Sequence, residues 1–467
     1  VQNDLASAAT ARRRRLLRLT IIAALSLAIH AFWFATYSPL APDSSSYLVP
    51  AHALVEHHAF LEPRIESTLP TYDDTAPLVP ATFRTPGYPL FLAAFLEVGA
   101  SLRVVSAVQH LLIIALTLGL FFAVSRATGS ETIGFLSATA LALYQPIAQF
   151  TNGILSEALF LILLCAVMAT LYVAARATNP WGWCIAAGLL DGAAVLVRPV
   201  AMYYIVAAAV FLLLVRRRSR IAATVVFTIA ALLLPGAWIL RNAREAGVAT
   251  LTSLPPENLL FFNAAAATVA DERGVWQTLT LPHHSAAFID DVRARFPALL
   301  TEARRAAAAD GVMPPRSHVQ MAPYYQRVGR RIILQHRAGL FWSSVSSVIG
   351  LYVDPLWQLS FYYLGYPMAL AQMLFIPLAL LVFACAVLGC VTLFRRHRPL
   401  ALLLGLTLAY FTAVSSGPAT DYRLSTPIAP EYAICLAAGL ARLFERRPHA
   451  AGPEPECSER SATMRAS

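Results

Sequence analysis

The chain has 467 residues, 58% of them hydrophobic and 13% charged, with a net charge of +10 and a mean hydropathy of +0.60. Soluble domains are about half apolar and about a quarter charged, so this composition excludes an ordinary soluble globular protein. The basic excess is all arginine, gathered at the ends of apolar runs of about 20 residues, which is a membrane-topology pattern and excludes a nucleic-acid partner.

Residues 1–15 read as a cytoplasmic segment. Arg12, Arg13, Arg14, Arg15 and Arg18 flank a first span at about 16–37. Positive charge stays inside, so the N-terminus is expected in the cytoplasm. The apolar run is long and no small-residue cleavage site follows it, so it is expected to remain as a span. Residues 38–101 then form an outward loop. It opens with Pro42-Asp43-Ser44-Ser45-Ser46-Tyr47 and closes with Phe83-Arg84-Thr85-Pro86-Gly87-Tyr88-Pro89-Leu90-Phe91. Asp43 before three serines marks a helix start, for a short helix lying on the membrane to about Phe60. Residues 61–82 are proline-rich and acidic and read as loop. Residues 87–98 are apolar but too short to span easily, which predicts a second interfacial helix.

Further spans are expected at about 102–124, 132–150, 154–174, 183–197, 201–215 and 221–240. A long outer segment follows at 243–365, with helical stretches such as 288–308 and a dip toward the interface near 339–351. Three C-terminal spans occupy about 366–394, 399–414 and 426–443, and 444–467 read as a polar, disordered cytoplasmic tail. Ten spans leave both termini inside and place the arginine clusters at 12–18, 216–220, 395–398 and 442–447 on one side. The catalytic module is read as 16–242, and 366–443 as a separate set of C-terminal helices.

Several residues break this pattern. Arg84, Arg198, Arg241 and Arg423 sit at outer ends, where arginine is not needed for topology. Guanidinium is the favoured bidentate ligand of phosphate; it also anchors to lipid headgroups. Asp43 can cap a helix or take a proton from an attacking hydroxyl, and the two roles are compatible. Tyr47, one turn on, orients a ligand or faces the interface. Glu157 suits the start of the fourth span or orients an acceptor or an arginine. Asp191 lies inside the fifth span, seven residues before Arg198, and is either a bundle hydrogen-bonder or part of a site. His52, His57 and His58 with Asp73 and Asp74 lack ligand spacing and read as surface groups, so no metal is indicated. Of the six cysteines, Cys165, Cys184, Cys385, Cys390 and Cys435 lie in apolar runs and Cys457 in the tail, with neither zinc-like spacing nor a disulfide framework.

At these residues the chain resembles the GT-C superfamily of glycosyltransferases, in the bacterial branch related to dolichyl-phosphate-mannose protein mannosyltransferases and the lipid A aminoarabinose transferase. Asp43-Ser-Ser-Ser-Tyr47 is similar to the acidic motif of the first loop. Arg84-Thr-Pro-Gly-Tyr-Pro-Leu-Phe91 is similar to the family's Pro-Gly-Tyr-Pro stretch. Ser156-Glu157, Arg198-Pro199, Pro235-Gly-Ala-Trp-Ile-Leu-Arg241-Asn242 and Asp421-Tyr422-Arg423-Leu424 follow in the family's order.

The resemblance implies an all-α polytopic bundle of about ten transmembrane helices in a bacterial cytoplasmic membrane. It implies inverting transfer of a sugar from a polyprenyl-phosphate donor to a hydroxyl on the outer face. Asp43 would be the base. Arg84, Arg198, Arg241 and Arg423 would bind the donor phosphate, and Tyr47, Tyr88, Glu157 and Tyr422 would orient donor or acceptor. Asp43 is followed by Ser44 where protein mannosyltransferases usually carry Asp-Glu, and no large C-terminal soluble domain is seen. Both features favour a lipid or glycan acceptor over a protein, with no cofactor required. A lipid or lipid-linked-sugar flippase, or a non-catalytic member of the fold, is the alternative.

Overall fold

The computed structural model describes residues 2–36, 38–63, 77–280, 286–312, 317–364, 368–418 and 422–444. Helix α1 (Gln2–Thr36) leads into α2 (Ser44–His57) and a short antiparallel strand pair, β1 (Leu61–Pro63) and β2 (Leu78–Pro80). Then come α3 (Gly87–Leu96), α4 (Leu102–Thr128), α5 (Glu131–Ala142), α6 (Gln145–Asn152), α7 (Glu157–Arg176), α8 (Trp181–Val197), α9 (Tyr204–Val215) and α10 (Arg220–Glu245). The long segment holds α11 (Leu254–Glu257), a π-helical turn at Asn258–Ala264, α12 (Ala265–Thr280), α13 (Ala286–Ala294), α14 (Phe296–Ala309), α15 (His318–Gln335) and α16 (Arg337–Leu364). The chain closes with α17 (Met368–Arg396), α18 (Arg398–Ser415), a 3-10 segment at Tyr422–Ile428 and α19 (Ala429–Phe444).

Seven described helices are long and apolar enough to cross a membrane. They carry the expected spans one, two, four, seven, eight, nine and ten. The fifth and sixth are the shorter apolar helices α8 and α9. The third, read as one run at 132–150, is instead two helices, α5 and α6. Pro146 has no N–H to continue the ladder, but it suits the first turn of a new helix. As expected, α2 and α3 are short helices of the first loop. Within 61–82, read as loop, Leu61 pairs with Pro80, Glu62 with Val79 and Pro63 with Leu78. The helix expected at 288–308 is broken at Arg295, and the expected dip near 339–351 lies within the single helix α16. The tail at 444–467 lies outside the described residues beyond Phe444.

Lipid tails are as apolar as leucine, so helices in a membrane associate by close packing and not by a hydrophobic drive. Helix α19 shows this against α17: a Cβ on Gly439 would lie 1.9 Å from the Cys385 carbonyl oxygen. The bundle interior is filled by Phe160, Tyr204, Phe211, Phe227 and Phe411. The long segment builds its own small core from Leu260, Phe261, Leu300, Tyr325 and Val328.

The two ends of the bundle differ. At one, Arg18 lies 3.2 Å from Glu131, and Arg216 at the end of α9 donates to the Ala177 carbonyl at the end of α7. At the other, the Ile154 N–H donates to Pro39 O and Ser44 Oγ to Ile154 O. The start of α2 is thereby pinned to the chain between α6 and α7.

Candidate active site

Asp43 takes the position before the first turn of α2, yet its side chain makes no capping bond. The turn is closed instead by its backbone, whose carbonyl accepts from Ser46 N at 3.2 Å and from Ser46 Oγ at 2.6 Å. The carboxylate is left to two arginines. Arg423 Nη1 lies 2.7 Å from Oδ2 and Arg84 Nη2 3.7 Å from Oδ1. Burial alone would raise the pKa of Asp43, but Arg423 and Arg84 outweigh it and hold the carboxyl below its ordinary value.

Arg84 is set by its neighbours on every side. Its Nε donates to Ser46 Oγ at 2.8 Å, and its guanidinium lies 4.4 Å from the centre of the Tyr47 ring. The strand it follows is held by Glu62, a buried carboxylate that accepts from the backbone N–H of Thr82 and of Phe83. Ser253 N donates to Thr82 O, Thr252 Oγ1 to Phe83 O, and the His318 ring stacks on Phe83 at 4.5 Å. Downstream, Gly87 starts α3 against the end of α8. A Cβ there would lie 2.8 Å from the Leu196 carbonyl, so the Pro-Gly step lets the two backbones meet. Tyr88 donates to Gln109 Oε1 at 2.8 Å and stands edge-on to Tyr47, whose hydroxyl pairs with Ser156 Oγ at 3.1 Å.

Glu157, at the start of α7, is only 3% exposed, against 41% for Asp43. Its Oε1 binds Arg198 Nη1 at 2.6 Å and also Arg423 Nε. Arg198 is extended because Pro199 follows it, which ends α8. The structure therefore brings Asp43, Arg84, Glu157, Arg198 and Arg423 together, with Tyr47 and Tyr88 beneath. Three guanidinium groups meet two carboxylates, leaving one net positive charge beside the exposed face of Asp43. Such an arrangement can bind a phosphate and offer a carboxylate to a hydroxyl next to it.

Arg241 lies elsewhere. It donates to Ala81 O and Phe60 O, each at 2.7 Å, and its guanidinium is 4.9 Å from the Trp238 ring centre. It clamps the strand pair and does not join the other three arginines. Asp191 is fully buried in α8, and neither of its carboxylate oxygens has a hydrogen-bond partner among the described residues. His52, His57 and His58 are exposed. Asp73, Asp74, Asp421 and the Tyr422 side chain fall outside the described residues. Among the described residues no group of three or more potential metal ligands occurs. The sequence had given no role to Ser46, Ser156, Glu62 or His318. The two serines lay inside quoted motifs and could have been read as anchors, whereas Glu62 and His318 carry no one-dimensional signal.

Residues 83–239, a third of the chain, match the family described as dolichyl-phosphate-mannose-protein mannosyltransferase. That stretch contains Arg84, Glu157 and Arg198. No curated protein sequence matches. Among solved structures, the chain is similar to the oligosaccharyltransferase AglB of Archaeoglobus fulgidus in complex with an inhibitory peptide and a dolichol-phosphate. The identity is 12% and the TM-score 0.51, covering 93% of this chain and 51% of that one. The apo form of the Archaeoglobus fulgidus oligosaccharyltransferase gives 14% identity and a TM-score of 0.52, covering 92% and 50%. ArnT of Cupriavidus metallidurans bound to undecaprenyl phosphate gives 14% and 0.38, covering 91% and 77%. The chain spans about half the length of the two archaeal structures, and at this identity their likeness shows the fold.

Proposed function

We propose that this chain, a polytopic helical membrane protein of GT-C fold, moves a sugar from a polyprenyl-phosphate donor to a hydroxyl of an envelope glycolipid or glycan. The observation that carries the reading is the cluster of Arg84, Arg198 and Arg423 around the half-exposed Asp43, built on the first-loop helix. The dolichol-phosphate held by AglB, a protein of the same fold, supports a lipid-phosphate donor.

In this reading the acceptor oxygen attacks the anomeric carbon from the face opposite the phosphate, with inversion. The bond from that carbon to the phosphate oxygen breaks, the lipid phosphate leaves with the electron pair, and the hydroxyl proton passes to Asp43. Charge on the leaving phosphate is balanced by arginine, so neither a separate acid nor a metal is needed. The site faces the outer side if the arginine clusters at the far end of the bundle are cytoplasmic.

The test uses wild-type and Asp43→Asn protein in liposomes, a panel of polyprenyl-phosphate sugars and extracted envelope glycolipids, with transfer read by mass spectrometry. Transfer by wild type and a loss of at least about a hundredfold in the variant are expected, the scale of a lost general base. Full turnover by Asp43→Asn would remove Asp43 from the mechanism. Lipid movement between leaflets with no transfer would favour a flippase.

A further inference from the structure

We infer that Arg423 and Arg84 mask Asp43 in the free protein, and that the donor phosphate draws their outer nitrogens off it, so the base is released only when the donor is bound. This rests on the lipid-phosphate reading above and adds an order of events to it.

The geometry separates anchor from exchangeable end in both arginines. Arg423 is anchored through Nε to Glu157 and turns Nη1 to Asp43. Arg84 is anchored through Nε to Ser46 Oγ, with its guanidinium against the Tyr47 ring, and turns Nη2 to Asp43. Neither arginine depends on Asp43 for its place. Glu157 is nearly fully buried whereas Asp43 is on the open side, so an arriving phosphate meets the Nη ends and leaves the anchors untouched. A phosphate oxygen competes well for those donors, because guanidinium binds phosphate and carboxylate by the same paired N–H geometry.

The consequence is chemical. A carboxylate with each oxygen facing a guanidinium is a poor proton acceptor, as the lowered pKa of Asp43 reflects. Once a phosphodiester of charge minus one takes the Nη donors, the one net positive charge of the cluster is neutralised and Asp43 regains its basicity beside the reacting carbon. Glu157 and Ser46 act as positioning residues that keep the arginines aimed at the same place throughout.

The test is a binding measurement on the full chain in detergent, with farnesyl methyl phosphate as the probe. This isoprenoid phosphodiester has no sugar to transfer and no proton to titrate near neutral pH. If Asp43 competes for the arginines, Asp43→Asn and Asp43→Ala bind the probe about two- to fivefold more tightly than wild type, the range of a partly exposed ion pair. Glu157→Gln removes the same charge but also the anchor, and is expected to bind no more tightly than wild type. Unchanged or weaker binding by both Asp43 variants would overturn the inference, because Asp43 would then be holding the arginines for the phosphate. Equal tightening by Glu157→Gln would also overturn it, leaving only a general charge effect. Absence of probe binding by every form, each migrating as one symmetric species, would remove the lipid-phosphate reading itself.

Discussion

Arg84 joins more of the site than any other side chain: it touches Ser46, the Tyr47 ring and Asp43, and its backbone is placed by Glu62. Arg84→Ala is expected to weaken binding of a lipid-phosphate donor by about tenfold or more, the scale of one charge-assisted contact. Arg84→Lys keeps the charge but loses the planar fork and the ring stack, so it restores only part of the affinity. Equilibrium binding of the donor checks both, and an affinity unchanged in the alanine variant would make the residue purely structural. At this scale the sequence was informative because a positive-inside protein has no topological use for arginine at outer ends. The same signal marked Arg84, Arg198, Arg241 and Arg423 alike. It could not tell that Arg241 turns toward the Ala81 and Phe60 carbonyls while the other three converge, since side-chain direction depends on how α10 packs beside the strand pair.

Between residue and bundle stands the strand pair with its supports, which holds Arg84 at the correct height. Arg241 makes two charge-assisted bonds to its backbone. Arg241→Ala is expected to lower stability by about 2 kcal/mol, as for loss of hydrogen bonds to a charged group, and to reduce donor affinity only as a consequence. A thermal melt beside the binding curve separates the roles: lost affinity at unchanged melting temperature would mark Arg241 as a direct ligand. His318 supports the same strand from the other side. Burial lowers its basicity, but the bond to Glu257 and the charges of Glu62 and Glu257 more than offset this and raise it above the ordinary value. A histidine raised in the folded state contributes stability that is complete below about pH 6.5 and is lost as the pH climbs through the folded value. Wild type should therefore exceed His318→Gln by about 1 to 3 kcal/mol near pH 6, with the gap closing as the pH rises through the folded value. A gap independent of pH would show that the imidazolium charge has no part in the support. None of this was readable beforehand, because Glu62, the stretch holding Arg241 and Glu257, and His318 come from three distant parts of the chain.

Across the whole molecule, hydrophobic run length located the membrane helices because the bilayer sets that length directly, and the runs at α8 and α9 were found although they are short. The break between α5 and α6 was missed because composition does not register Pro146 as a helix start. That break matters: Tyr144, at the break, bonds Ser425 in the 3-10 segment that delivers Arg423 to the site. The bundle also carries a feature the site does not use. Asp191 is on α8 seven residues before Arg198, about 10 Å deeper by helical rise, and both its oxygens are buried without a hydrogen-bond partner among the described residues. An unsatisfied buried carboxylate weakens a fold, since its desolvation is not repaid by a bond. Asp191→Ala removes the ionisable group together with both unsatisfied oxygens. It is expected to raise the stability of the bundle by about 1 to 3 kcal/mol and to leave sugar transfer within about twofold, on the ordinary scale of a substitution outside the reacting groups. Melting in detergent and transfer in liposomes, measured on one preparation, decide the matter together. A variant that melts higher but no longer transfers would mean that Asp191 serves the reaction from below the arginines at the expense of stability. A variant that melts lower would mean that the carboxylate has a partner in the membrane after all.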